Sequence, residues 1–172
     1  MIFYLGIDNG VSGSFGWVDG NREQYGFFPT PTFSELDYTK TERHVTRLDL
    51  NALIQKVHAT VADPMFQAKY SIHVIMERPM INPMRFRATI SAIRAWEATL
   101  IFLSMYKWSR ITIDSKEWQK QMLPKGITGP ANLKEASKQV GCRLFPHLKD
   151  AINKHGDADS ILIAEWGRRN KR

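Results

Sequence analysis

The chain has 172 residues, 43% of them hydrophobic and five of them tryptophan, which is enough apolar material for one domain with a sizeable core. No run of about 18 apolar residues is present, so no membrane span is expected; the apolar opening, Met1 to Ile7, also meets Asp8 too early for a signal-peptide core. The formal net charge of +7 makes nucleic acid the leading partner class, and a lone cysteine, Cys142, excludes an internal disulfide and fits a reducing, cytoplasmic setting.

Residues 1–8 (MIFYLGID) are rich in β-formers and predict a buried strand that runs into a turn on GVSG. SFGWVDG and then QYGFF predict two further strands, so the chain opens as a three-stranded meander. Residues 29–46 are polar and rich in Pro and Thr, and predict a long loop. Leu50, Leu53, Ile54 and Val57 recur at helical spacing and predict a helix from Arg47 to about Ala62, ended by Asp63-Pro64.

SIHVIMERP, 71–79, predicts an apolar strand that ends on Glu77 and is stopped by Pro79. A long helix follows, about Arg85 to Tyr106, with Ile90, Ile93, Ala95, Trp96 and Leu100 on its apolar side. SRITID is a fifth strand, Ser115–Gln121 a short helix and PKGITGP a loop. Ala131 to Val140 is a helix closed by Gly141, and HGDADSILIAEWGRR supplies a last helix from about Asp157 to Arg168. The expected fold is one α/β domain over residues 1–172, with a mixed five-stranded sheet flanked by helices.

Asp8 and Glu77 each end a short apolar strand, and ligands of α/β sheets gather at the carboxyl ends of strands. Asp157 and Asp159 stand where the last helix starts, and Asp159 shares a face with Ile163 and Trp166. Singly, each acid has an ordinary explanation. Asp8 suits an Asx turn, Glu77 an ion pair with Arg78, and the last two a helix macrodipole. Jointly they point to a cation site, because converging carboxylates repel unless a cation is bound and oxygen donors suit Mg²⁺ or Mn²⁺.

GIDNG, VIMERP and HGDADSILIAEW, in that order and at those places, resemble the RuvC-type Holliday junction resolvases, and most of all the small RuvC-like proteins of phages. The resemblance covers essentially the whole chain and implies a ribonuclease H-like fold, a three-stranded antiparallel meander plus two parallel strands. It implies that Asp8, Glu77 and Asp159 bind two divalent ions per active site, Mg²⁺ with Mn²⁺ as substitute, and cut DNA to leave 5′-phosphate ends. Paired nicks in one four-way junction, and in other branched DNA, imply a homodimer, for which the long helix with Ile93 and Trp96 is the expected face. The implied setting is the cytoplasm, that of the host if the chain is phage-encoded.

The cellular pattern has an acid or His three residues before the final Asp, and this chain has Gly156 there. Asp157 or His155 is then the fourth group. A helix begun earlier would put His155 one turn before Asp159 and Asp157 about 160° away, whereas a helix begun at Asp157 leaves that carboxylate free to turn inward. Asp157 is the expected fourth acid and metal ligand, and His155 an auxiliary catalytic group.

Arg85, Arg87, Lys116, Lys120, Lys125 and Lys134 are expected to hold DNA phosphates, with Arg94, Lys138 and the closing GRRNKR as further cations. Met80, Met84 and Phe86 follow Glu77 and, by the resemblance, are candidates to wedge open a junction. Three other readings are weighed. Another ribonuclease H-like nuclease would act on RNA-containing substrates. An inert DNA-binding module would not need all the acids. GIDNGVSGS also resembles the first phosphate loop of the actin-like ATPases and sugar kinases, but no second hairpin of that kind follows, so no nucleotide cofactor is expected.

Overall fold

The computed structural model describes residues 2–38, 40, 43–60 and 71–172. β1 (Ile2–Asp8), β2 (Ser14–Asp19) and β3 (Tyr25–Pro29) form the expected antiparallel meander. β6 (Ser71–Glu77) joins β1 in parallel and β7 (Ser109–Ile113) joins β6 in parallel, which gives the sheet order β3-β2-β1-β6-β7. β1 is central and apolar on both faces, as a strand covered on both sides must be. Phe3, Leu5 and Ile7 enter one core with Leu53, Val57, Phe102 and Leu103, while Tyr4 enters another with Ile75, Trp118, Phe145 and the last helix.

The helices are α1 (Leu50–Thr60), α2 (Phe86–Tyr106), α3 (Ser115–Met122), α4 (Pro130–Leu144), α5 (Lys149–His155) and α6 (Asp159–Arg169). None of the described helices is long and apolar enough to cross a membrane.

Four expectations need correction. The loop expected at 29–46 contains a two-stranded hairpin, β4 (Thr32–Leu36) and β5 (His44–Leu48), separate from the main sheet. Its strands are mostly exposed, so no apolar alternation marks them. Arg47 therefore belongs to β5, and α1 starts at Leu50 because the Asp49 carboxylate accepts from Ala52 N at 2.9 Å as an N-cap; the expected end at Asp63-Pro64 lies outside the described residues. α4 runs through Gly141, whose missing side chain leaves room for Ala158. Finally, α2 buries Ala95, Thr99, Phe102 and Leu103, Trp96 packs partly buried against that same core, and Ile93 faces outward.

The last helix is the element on which the site depends. Ile161, Leu162, Ile163, Ala164 and Trp166 are all buried, and Ser14 Oγ donates to Ser160 Oγ at 2.8 Å in the interior. Its backbone lies directly on β1 and β2 because Gly6 and Gly16 present no side chain. A Cβ on Gly6 would overlap the Ser160 carbonyl and lie 2.5 Å from Ala164 N. Gly6→Ala should therefore destabilise the protein by about 3 kcal/mol or more, read as a lower urea midpoint, since neither the strand nor the helix backbone can yield cheaply. An unchanged midpoint would mean that the helix does not sit so close.

Candidate active site

The pleat and the register bring the acids together. Asp8 has the parity of Tyr4 and Gly6, so it points to the face that α6 covers. Ile7 pairs with Met76 on β6, so Glu77 follows beside Asp8 on the same face. Gly156 then separates α5 from α6 in a left-handed conformation (φ 103°), its N–H donating to Ile152 O at 2.8 Å. α6 thus starts at Asp159, and Asp157 lies in the link between two helices, so neither helical alternative weighed from the sequence holds. Ligand atoms of Asp8, Asp157 and Asp159 all lie within 4.8 Å of one another.

Each acid is held by a different neighbour. Asp157, buried, receives Lys134 Nζ at 3.1 Å and has His155 Nε2 at 3.5 Å. Asp159 accepts from Ser137 Oγ, which also accepts from Ala158 N at 3.1 Å. Glu77 is outside the trio but shares a cleft of about 280 Å³ with one member, Asp8, and with Met80 and Arg85; its carboxylate accepts from Trp118 Nε1 at 2.6 Å. The ion pair considered for Glu77 and Arg78 goes elsewhere, because Arg78 lies 3.5 Å from Asp114.

Electrostatics follow from crowding acids at a covered sheet edge. Burial, then the charges of Asp159, Glu77 and Asp157, raise the Asp8 carboxyl well above the usual range. Burial raises Glu77 to about 7 against the Trp118 hydrogen bond, with Asp159, Asp114 and Asp157 adding to the rise. Burial and the Asp157 charge raise Asp159 to about 6 against Ser137 and Lys134. His155 is lowered, by burial first, and so is kept neutral.

This donor set fits a hard divalent cation. It is all oxygen, preassembled, and carries more negative charge than its one lysine offsets. Asp8, Asp157 and Asp159 could hold the cation, with Glu77 in one cleft with Asp8.

The expected cations divide. Lys116, Lys120 and Lys125 line one groove of about 620 Å³ with Gly126 and Gly129, apart from the carboxylates. Lys134 is bound to Asp157 instead. Arg85 lines the carboxylate cleft and Arg87 a different groove behind α2. Arg168 and Arg169 of the closing GRRNKR are held by the buried Glu165, with Nε at 2.7 and 2.8 Å from its oxygens, and Lys138 pairs with Glu135 at 2.5 Å. Of the wedge candidates, Met84 (92%), Met80 (79%) and Phe86 (67%) all protrude, and only Met80 borders the carboxylate cleft. Sequence reasoning missed Trp118 and Ser137 as supports, since nothing local separates them from core residues.

A central β1 flanked by an antiparallel and a parallel neighbour, with helices on both faces, is the ribonuclease H-like fold in its RuvC form. A solved structure that shares it is "T. thermophilus RuvC in complex with Holliday junction substrate", at 12% identity and a TM-score of 0.52, covering 99% of this chain and 96% of that one. "Thermus thermophilus RuvC structure" aligns at 13% identity and a TM-score of 0.48 over 98% and 96%. No family model matches the chain, and no curated protein matches it.

The raised carboxyls fix a pH dependence for the metal-free protein. Glu77 and Asp159 bind protons more tightly folded than unfolded, so their contribution is fully present below about pH 4 and lost as pH rises through about 7 and 6 respectively; Asp8, also raised, acts in the same sense. His155, lowered, acts in the opposite sense near pH 6.5 and offsets part of the loss. Calorimetry in EDTA should show Tm falling by several degrees between pH 5 and 8, with a shallower fall for Asp159→Asn. A Tm that rises across this interval would refute the crowding.

Proposed function

We propose that the chain is a divalent-cation-dependent endonuclease that resolves four-way and other branched DNA junctions. The observation that carries this reading is the convergence of Asp8, Asp157 and Asp159 at the carboxyl end of the central strand, with Glu77 in one cleft with Asp8. The fold shared with a RuvC structure solved on a Holliday junction substrate supports the choice of DNA, as does the net charge of +7.

Asp8, Asp157 and Asp159 would hold Mg²⁺ or Mn²⁺, and Glu77 beside Asp8 would serve a second ion. When bound, such ions activate a water and neutralise the departing 3′ oxygen, which leaves 5′-phosphate and 3′-hydroxyl ends. The chain's own residues hold that arrangement. Trp118 Nε1 fixes the Glu77 carboxylate, Ser137 Oγ fixes Asp159, and His155, neutral, packs its Nε2 against Asp157. Lys134 offsets the charge of Asp157 and, half out in solvent, stands where a phosphate would approach. Lys116, Lys120 and Lys125 bind a DNA arm beyond the cleft. Met80, exposed at the border of the cleft, is the candidate placed to unstack the branch point.

The test is cutting of a synthetic four-way junction in Mg²⁺ against linear duplex, RNA–DNA hybrid and flap. Asp8→Asn, Glu77→Gln and Asp157→Asn should each lower junction cutting by more than about a hundredfold while junction binding persists, and His155→Ala should cost less than Asp157→Asn. Preferred cutting of the hybrid would point to a ribonuclease instead, and an Asp8→Asn protein that cuts normally would remove the cleft from the chemistry.

Two like nicks need two sites related by a dyad, and the outward face of α2 suits that contact. Ile93 (38%), Ile101 (55%) and Met105 (60%) are exposed on one side of it. Trp96, expected there, packs inward. Light scattering at micromolar concentration should give about twice the 19.8 kDa chain mass, and Ile101→Asp should return it to one. A monomer that persists on a junction would favour single cuts.

A further inference from the structure

A second groove lies behind α2, between its N-terminal half and the β4–β5 hairpin, with a cavity of about 710 Å³. Thr89 and Ala92 face the carboxylate cleft, whereas Phe86, Arg87 and Arg94 face this groove. Val11, three residues beyond Asp8, also lines it, and Asn9 Nδ2 donates to Ala92 O at 3.2 Å. The loop after β1 therefore ties the two recesses to one helix.

The lining has a definite chemistry. Among the described residues, Arg43, Arg87, Arg94 and His44 line it together with one acid, Asp37. Among the described residues, none of those three arginines has an ion-pair partner, and all three are exposed. Unpaired guanidinium groups gathered in a groove favour a polyanion. Two aromatic rings stand among them, Tyr38 exposed at 80% and Phe86 at 67%. Tyr38 is nonetheless fixed. Its hydroxyl accepts from Arg47 at 2.8 Å, the Arg47 guanidinium covers the ring at 5.3 Å, and Arg47 is itself paired with Glu35. With the guanidinium over one face, the ring is held as a platform with its other face uncovered.

Phosphates alone would need only the cations. Exposed rings held among cations suit nucleotides whose bases are unstacked, because paired duplex hides its base faces. We propose that this groove holds a single unpaired DNA strand, its phosphates on Arg43, Arg87 and Arg94 and its bases on Tyr38 and Phe86. The choice of DNA rests on the nuclease reading of the cleft; the groove's chemistry does not. For an enzyme of branched DNA, such a groove would select junctions whose arms are opened next to the cut.

The test is fluorescence anisotropy in EDTA with a 12-nucleotide oligo(dT) and a 12-base-pair duplex. The double variant Tyr38→Ala/Arg43→Ala should bind oligo(dT) at least about tenfold more weakly, with a salt slope smaller by about one, and lose less for duplex. Tyr38→Trp should keep the wild-type affinity for oligo(dT). Both variants lie on an exposed hairpin, and an unchanged Tm certifies the fold. Unaltered oligo(dT) binding by the double variant would overturn the proposal, as would an equal loss in Tyr38→Trp. A double variant that turns from dimer to monomer in light scattering would give the groove to a second copy and overturn it too. These readouts involve no cutting, so a failed nuclease reading, seen with Asp8→Asn, would leave them standing.

Discussion

Everything at the candidate site depends on carboxylates that cannot move apart. Two charges at the 4.8 Å limit of the Asp8, Asp157 and Asp159 trio repel by roughly 3 kcal/mol at an effective dielectric of about 20. What opposes that repulsion is the seating of α6. Ile161, Leu162, Ile163 and Trp166 are buried, which contributes of order 10 kcal/mol. Three such pairs, fully charged, would amount to roughly 10 kcal/mol, about what the burial contributes, so the acids stay crowded only because their charge is relieved in place. Protons relieve it, as the raised Asp8 and Asp159 carboxyls record. Lys134 relieves it on Asp157. A bound divalent cation is the third route, and the only one that brings electrophilic chemistry with it.

Glu77 is governed separately. Its neighbour on the sheet is Asp8, yet its orientation comes from Trp118, a fully buried side chain of α3. A single indole N–H can satisfy one carboxylate oxygen and leave the other for a ligand. That fixes the direction of the acid before any ligand arrives, the kind of support that metal ligands generally require. Because Trp118 also fills the core beneath α6, the orientation of Glu77 and the packing of α6 share one residue.

The fold was legible where burial imposed a period. β1, β2 and β6 were readable because they are covered and therefore apolar, and the acids that end them stood out against the apolar run; β3 and β7, the partly exposed edge strands, were readable from their β-forming residues. The β4–β5 hairpin was not, because its strands pair only with each other and bury only one side chain, Leu48. The acids were legible as a set, but their support was not. The Lys134–Asp157 pair spans 23 residues and the Glu77–Trp118 bond 41, and no local pattern encodes either. Asp157 was expected to turn inward from the start of a helix, whereas the left-handed turn at Gly156 places it in the link between two helices.

Helix α2 was readable in its bounds but not in its faces, and the reason bears on function. It is apolar nearly all round, which for a helix usually means burial on every side. In fact Ala95, Thr99, Phe102 and Leu103 face the core, Thr89 and Ala92 face the cleft, and Phe86, Ile93, Ile101 and Met105 are exposed. An apolar period could not choose among these faces because all three carry apolar residues. Side chains of that size are rarely left uncovered together in one stripe. The two reasons advanced for keeping them, contact with a second copy and stacking against unpaired bases, occupy adjoining parts of one helix. If both proposals hold, a change in how two copies meet along α2 would alter the groove proposed for the strand, because one helix carries both.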